Sequence, residues 1–65
     1  MKKTLKGQCR DADQTRDTRE ELVAAGIPQD RVFVDEVDQV ISVEITGEEE
    51  AEVMQIFGRH DVEPL

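Results

Sequence analysis

Two residues with the capacity for nucleophilic catalysis or metal binding occur once each in this chain, Cys9 and His60. Nucleophilic catalysis needs a base beside the nucleophile, and a structural zinc site needs about four ligands. One thiol and one imidazole at this separation match neither pattern. We therefore interpret Cys9 as a small buried strand residue. We interpret His60 as a residue at a helix end, where its side chain could cap the last carbonyl groups.

Two acidic segments resemble functional sites at first. Residues 11–17 carry carboxylates spaced like those that open a calcium-binding loop, but Arg16 stands where that loop needs glycine and Leu22 where it needs glutamate. Residues 48–50 are consecutive glutamates at a predicted helix start, where the helix dipole favours negative charge. The chain also lacks a P-loop, a GxGxxG motif and a nucleophile elbow. We therefore predict no catalytic residue, no metal and no cofactor, and we expect the protein not to be an enzyme.

The elements that would position these residues follow from a repeated pattern. Residues 22–26 and 54–58 each close a helical pattern on a glycine. Strand-like segments flank both, at residues 4–9, 31–37, 39–45 and 61–65. This order is the split βαβ pattern. It predicts an α+β, ferredoxin-like βαββαβ fold with a four-stranded antiparallel sheet in the order 4-1-3-2 and two helices on one face.

Residues 31–45 give the clearest hairpin pattern. A two-residue turn at Val37-Asp38 would place Val32 opposite Val43 and Val34 opposite Ile41, with these side chains on one face. Val-Asp is not a favoured pair for such a turn, so a longer turn is the alternative. The predicted core consists of Leu22, Val32, Val34, Ile41, Val43, Ile45, Val53, Met54 and Phe57.

The first helix begins at a cap provided by Asp11 or Asp13 and ends where Gly26 supplies a left-handed residue. Its predicted buried residues are Thr15, Thr18, Leu22 and Ala25. These residues recur at the three- and four-residue spacing of one helix face.

The second helix has a capping-box pattern at its start, with Thr46 and Glu49 predicted to bond each other's backbone amides. Its predicted buried stripe is Val53, Met54 and Phe57, with Ala51. Gly58 is predicted to end this helix. Pro64 is predicted to stop the pairing of the last strand, which therefore belongs at a sheet edge.

Length and charge limit the possible partners. The 65 residues form one domain, residues 1–65, with 16 acidic and 8 basic residues and a formal net charge of -8. Such a surface repels phosphates and anionic lipids, so we expect neither nucleic acid nor membrane as a partner. A single cysteine favours a reducing compartment, and no apolar signal segment follows Lys2 and Lys3. We expect a cytoplasmic protein.

One possible interaction surface lies on the predicted helix-free face of the sheet. It consists of Phe33, Val40 and Ser42, flanked by Asp35 and Glu44. An exposed Phe-Val pair in a chain with few apolar residues predicts a weak homodimer, formed sheet to sheet around Phe33 and favoured by salt. The alternative is an isolated surface aromatic residue with no role.

Two stretches resemble the small domain of bacterial general-stress proteins. Residues 21–34, ELVAAGIPQDRVFV, combine a helix end, a glycine, a short turn and a strand, and residues 43–60 combine an acidic helix start with a closing Gly-Arg-His. The resemblance implies a ferredoxin-like fold. It also implies a non-catalytic role through contacts with a protein partner or in the stress response.

The order of elements also resembles that of the ACT regulatory domain. In that family a glycine-containing turn after the first strand helps bind an amino acid between paired domains. Here Gly7 lies inside the first strand, and the turn reads Cys9-Arg10-Asp11-Ala12. This resemblance implies an alternative function, the sensing of a small ligand such as an amino acid.

Overall fold

The computed structural model describes residues 2–65, and of Lys2 only the backbone. The elements in chain order are β1 (Lys2–Gln8), α1 (Ala12–Ala24), a 3₁₀ turn (Gln29–Arg31), β2 (Val32–Asp35), β3 (Val40–Thr46), α2 (Glu50–Arg59) and β4 (Glu63–Pro64). The strands form one antiparallel sheet in the order β2-β3-β1-β4. The predicted α+β ferredoxin-like class and strand order are confirmed. Among residues 2–65 no helix combines the length and the apolar character that crossing a membrane requires.

Strands β2 and β3 pair in the predicted register. Val32 lies opposite Val43, and Val34 lies opposite Ile41. Three of these valine and isoleucine side chains are buried, while Val34 at the sheet edge is half-buried. The alternation of apolar and polar residues sets this register, because a slip of one residue would turn every apolar side chain away from the core.

The hairpin loop is longer than the two-residue turn at Val37-Asp38. It spans residues 36–39, which have turn geometry. The Asp35 carboxylate accepts hydrogen bonds from the amides of Val37 and Asp38 at 3.0 and 3.1 Å. Gln39 then closes the loop in the left-handed region, with φ 55°. A side-chain bond of this kind replaces the glycine that a two-residue turn would need.

The core lies between one face of the sheet and both helices. Its buried members are Cys9, Leu22, Ile27, Val32, Ile41, Val43, Ile45, Val53, Ile56, Phe57 and Val62. Three predicted positions are wrong, and one of them, Ala51 on α2, is exposed. Met54 is 39% exposed, and Ile56 takes its place in the core. Ala25 is exposed and lies just beyond α1. The buried stripe of α2 is therefore Val53, Ile56 and Phe57, at the i, i+3, i+4 spacing of one helix face.

Helix α1 packs on the core through polar side chains as well as Leu22. Asp11 is its cap, accepting the Gln14 amide at 2.8 Å. Thr15 and Thr18 are buried, and their hydroxyls donate to the carbonyls of Asp11 and Gln14 at 3.0 and 2.7 Å. Buried hydroxyls satisfied in this way avoid most of the cost of leaving water.

The two helices end in the same way, although only one ends on glycine. Gly26 follows α1 with φ 104°, as predicted. Helix α2, however, continues through Gly58 to Arg59, and the left-handed residue after it is Asp61, with φ 57°. The prediction that Gly58 ends α2 is therefore wrong. A helix commonly ends on a left-handed residue, and aspartate adopts that conformation more readily than most other side chains do.

The capping box before α2 forms in part. The Glu49 carboxylate accepts the Thr46 amide at 2.9 Å, as predicted. The Thr46 hydroxyl contacts the same carboxylate at 3.3 Å, and the Glu49 amide bonds the Thr46 carbonyl oxygen instead. Thr46 therefore ends β3 and turns the chain toward α2 without serving as the side-chain cap.

The edge strand β4 pairs with the end of β1. Pro64 lies opposite Gly7, and Glu63 opposite Gln8. Pairing does not stop at Pro64, because the Leu65 amide donates to the Lys6 carbonyl oxygen at 2.8 Å. The proline is accommodated because an edge strand has one side without a ladder.

Candidate functional site

The predicted interaction surface lies on the face of the sheet opposite the core. Phe33 on β2 is directly opposite Ser42 on β3, and Ser42 is in turn opposite Lys6 on β1. Val40 lies one step along β3, opposite Asp35. Phe33 is 51% exposed, whereas Val40 and Ser42 are half-buried. The structure thus brings the three predicted residues together, with the aromatic ring as their most exposed part.

Charges of both signs surround this surface. Lys6 and Asp35 are exposed on strands β1 and β2, and Glu44 is exposed on β3 opposite Thr4. The predicted flanking residues Asp35 and Glu44 therefore share the face with a lysine. Mixed charge makes this face better suited to a contact with a second protein than the strongly acidic remainder of the chain.

A second feature is a cleft of about 570 Å³ between α1 and the β2–β3 hairpin. Arg16 and Arg19 line it on the helix side, and Asp35 and Glu36 line it on the hairpin side. Arg16 pairs with Asp13 on its own helix at 3.2 Å. Within residues 2–65 no ion pair joins the two walls. Sequence reasoning missed this cleft, because it depends on how α1 crosses the sheet.

The cysteine and the histidine have structural contacts. Cys9 is buried just after β1, and its amide donates to the Gln39 carbonyl oxygen at 2.8 Å. His60 lies at the end of α2, as predicted, but its side chain does not cap carbonyl groups. Its Nε2 lies 2.5 Å from a carboxylate oxygen of Glu21 on α1. The other oxygen of Glu21 pairs with Arg59.

The same corner of the molecule contains Gln14. Its side-chain amide donates to the His60 carbonyl oxygen at 2.5 Å, while its side-chain oxygen accepts the Arg10 amide at 2.5 Å. These bonds join the start of α1 to the end of α2. Among residues 2–65 no three His, Cys, Asp or Glu side chains are grouped so as to hold a metal ion.

Glu49 is a charged group whose pKa is changed by its surroundings. The Thr46 amide and the Arg31 guanidinium, 2.7 Å away, lower the pKa of the Glu49 carboxyl group from its ordinary value. Partial desolvation acts in the opposite direction but is the smaller effect. Arg31 also donates to the Glu44 carbonyl oxygen at 2.9 Å. Glu49 therefore ties the start of β2 to the β3–α2 turn.

Comparisons of the chain with protein-family models, with curated proteins and with solved structures find no match. The resemblances to general-stress domains and to ACT domains therefore rest on the residue patterns alone.

Proposed function

We propose that this chain is a non-catalytic protein-interaction module that associates with a second copy through the surface of Phe33, Val40 and Ser42. The observation that carries the proposal is the position of Phe33. One of only two phenylalanines in the chain, it is half exposed on the helix-free face, while the other, Phe57, is buried. Aromatic side chains of this kind contribute strongly to protein contacts.

The contacts of the two side chains that could carry out catalysis, those of Cys9 and His60, support a non-catalytic role. Cys9 is buried and His60 is held by Glu21, so both are engaged in the fold. The single cysteine supports a cytoplasmic location. A role in the stress response is part of the proposal through the resemblance to general-stress domains only.

Sedimentation equilibrium at low and high salt tests the proposal. We expect weak self-association that strengthens with salt, since each copy carries a formal charge of -8 and screening reduces the repulsion. Phe33→Ser should abolish it. Val37→Ser is the matched control, because Val37 is 92% exposed at the hairpin tip, away from this surface. A monomer at millimolar concentration in both salts would contradict the proposal.

The cleft supports a second candidate function, the sensing of a small ligand such as an amino acid. Two arginines, Arg16 and Arg19, line one wall, and two acidic residues, Asp35 and Glu36, line the other. A molecule with both a carboxylate and an ammonium group could pair with both walls. This is the chemistry that the ACT resemblance implies, although the cleft lies beside the hairpin and not at the turn after β1.

A thermal-shift screen with amino acids and with nucleotides tests the second candidate. A saturable rise in melting temperature with an amino acid is expected if the cleft binds it. Arg19→Gln should remove the rise. Arg10→Gln is the control, because Arg10 pairs at 3.8 Å with Asp61 and does not line the cleft. No shift with any compound would favour the interaction module alone.

A further inference from the structure

The outer edge of strand β2 borders the cleft beside α1. Val34, half-buried near the middle of this edge, lines the cleft together with Ala12 and Thr15 of α1. Strand β2 pairs with β3 on one side, and in the part of the chain that the structure describes no strand pairs with its outer edge. An unpaired edge presents backbone groups that a further extended segment can bind.

The amide and the carbonyl group of Val34 point to this outer edge. The Leu65 amide donates to the Lys6 carbonyl oxygen, so the backbone of Lys6 points to β4 and away from β3. In antiparallel pairing the direction alternates from one residue to the next. Continued through the pairs of Lys6 with Ser42 and of Ser42 with Phe33, this pattern directs the backbone of Phe33 toward β3. The backbone of Val34, the next residue, is therefore directed outward.

Only a short length of the edge is open. The Val32 amide donates to the Gln29 carbonyl oxygen, and the 3₁₀ turn thereby covers one end of the edge. At the other end the strand stops at Asp35 and the chain enters the hairpin loop. A long strand therefore has no room to pair here, whereas a short segment centred on Val34 does.

Charges of opposite sign lie at the two ends of the cleft. Strands β1 and β2 are both antiparallel to β3, so α1, which joins them, runs in the opposite direction to β2. The start of α1 at Ala12 therefore lies level with the hairpin end of β2, where Asp35 and Glu36 line the cleft. Arg19 lies about two turns, or roughly 10 Å, further along α1, toward the other end.

Arg19 is suited to hold an anionic group. It is half-buried, and none of the ion pairs in the described part of the chain includes it. Arg16, by contrast, pairs with Asp13 at 3.2 Å. A guanidinium group can bind a carboxylate through two parallel hydrogen bonds. The cleft therefore favours a carboxylate at its Arg19 end and a cationic group at its hairpin end.

We propose that the cleft binds a short extended peptide with free ends, about three residues long, antiparallel to β2. The inference rests on the second candidate function, the sensing of a small ligand, and names the class of that ligand. The middle residue of the peptide exchanges two backbone hydrogen bonds with Val34, as in a hydrogen-bonded antiparallel pair. The terminal ammonium group lies toward Asp35 and Glu36, and the terminal carboxylate binds Arg19.

The separation of the charges is the reason that the ligand is a peptide. Extended residues rise about 3.4 Å each, so about three of them span the distance between the two ends of the cleft. A single amino acid holds its two charged groups much closer together. The middle side chain lies on the same face as Val34, toward Ala12, and we expect it to be small and apolar.

Titration of the whole chain with trialanine, followed through its backbone amide signals in NMR spectra, tests the site. We expect saturable shifts at Val34 and slower exchange of the Val34 amide with solvent when the peptide is bound. Arg19→Gln should weaken binding at least several-fold. Arg10→Gln is the control, because Arg10 does not line the cleft. An unchanged affinity in Arg19→Gln would overturn the position of the carboxylate.

Two methylated forms of trialanine test the backbone pairing. A methyl group on the nitrogen of the middle residue removes the bond to the Val34 carbonyl oxygen, so we expect binding to be lost. A methyl group on the nitrogen of the third residue is the matched control, because in this geometry that nitrogen points away from β2. Equal affinities for the two forms would overturn the pairing with Val34.

The outcomes separate this inference from the proposed functions. Saturable binding of alanine in the cleft, without binding of trialanine, would support the second candidate function and overturn the inference. Absence of binding by both compounds would overturn the inference and count against the second candidate. Self-association through Phe33 is measured separately, by sedimentation, and depends on neither result.

Discussion

Asp61 occupies the position after α2 that Gly26 occupies after α1. Both have a positive φ, 57° and 104°. In each case the next amide donates back into the helix, from Ile27 to the Leu22 carbonyl oxygen at 3.1 Å and from Val62 to Phe57 at 2.9 Å. The two halves of the fold therefore end their helices with the same motif, and each places an apolar residue beside the core.

We predict that Asp61→Gly stabilises the protein by about 1 kcal/mol. Glycine adopts a positive φ without the steric cost of a side chain, and the change removes a negative charge from the unfavourable end of a helix. The ion pair with Arg10 that would be lost is 3.8 Å long and exposed, so it contributes little. Urea denaturation measures the difference.

The control for that change is Asp38→Gly. Asp38 is also an exposed loop aspartate, but its φ is not positive. Here glycine only adds freedom to the unfolded chain, so we expect no stabilisation. Stability of Asp61→Gly at or below that of the wild type would show that the aspartate side chain stabilises the turn in another way.

A second prediction concerns Gly7. A Cβ atom added there would clash with a methyl group of Val62 and lie 3.0 Å from the Phe57 ring. We expect Gly7→Ala to cost about 1–3 kcal/mol, because the packed core has no room for it. Gly58→Ala is the control, since a Cβ there meets no atom within 4 Å and alanine favours a helix. It should stabilise the protein by about 0.5–1 kcal/mol.

The third prediction compares two neighbouring apolar residues of α2. Ile56 is fully buried, and Met54 is 39% exposed. Ile56→Ala should cost about 2–5 kcal/mol in the free energy of unfolding. Met54→Ala should cost much less. If Ile56→Ala does not fold, Ile56→Val should still cost about 0.5–1.5 kcal/mol. Equal costs at the two positions would contradict the assigned face of α2.

The hairpin shows why sequence alone predicted the fold. Its register depends on which side chains face the core, and that information is carried by the alternation of residues 31–45. A two-residue turn and the observed four-residue loop place Val34 opposite Ile41 equally well. The error in the turn therefore left the register intact.

The face of α2 was harder to predict because Gly58 resembles a helix end. When Gly58 is taken as the residue that ends α2, as Gly26 is for α1, the helical pattern assigns Met54 to the buried stripe. The helix in fact ends three residues before Val62, with Asp61 left-handed, and Ile56 is turned inward. Aspartate at this position is a weak sequence signal, since it is also common in ordinary turns.

The predicted surface residues Phe33, Val40 and Ser42 lie together because alternate residues of paired strands share a face. The contacts of Glu21 with His60 and Arg59 could not be predicted in the same way. They join residues far apart in the chain, and they depend on the angle at which the helices pack. The cleft beside α1 was missed for the same reason.

The last prediction concerns pH and Glu49. The pKa of its carboxyl group is lowered in the folded protein from its ordinary value of 4.5, chiefly by the Thr46 amide and then by Arg31. A carboxyl group with a lowered folded pKa adds stability that is complete above its unfolded pKa. That stability is lost as the pH falls through the folded pKa. Glu49→Gln, which cannot carry the charge, should therefore be less stable than the wild type at neutral pH.

The difference should shrink on acidification and vanish when Glu49 is protonated in both states. Thermal midpoints of both proteins, measured from neutral pH to below about pH 3, test this dependence. Glu48→Gln is the matched control, because Glu48 is an exposed neighbouring glutamate with the same charge. Its difference from the wild type should be smaller at neutral pH, since it lacks the bonds to Thr46 and Arg31. A Glu49→Gln difference that is the same at all pH values would show that the carboxylate charge adds nothing to this turn.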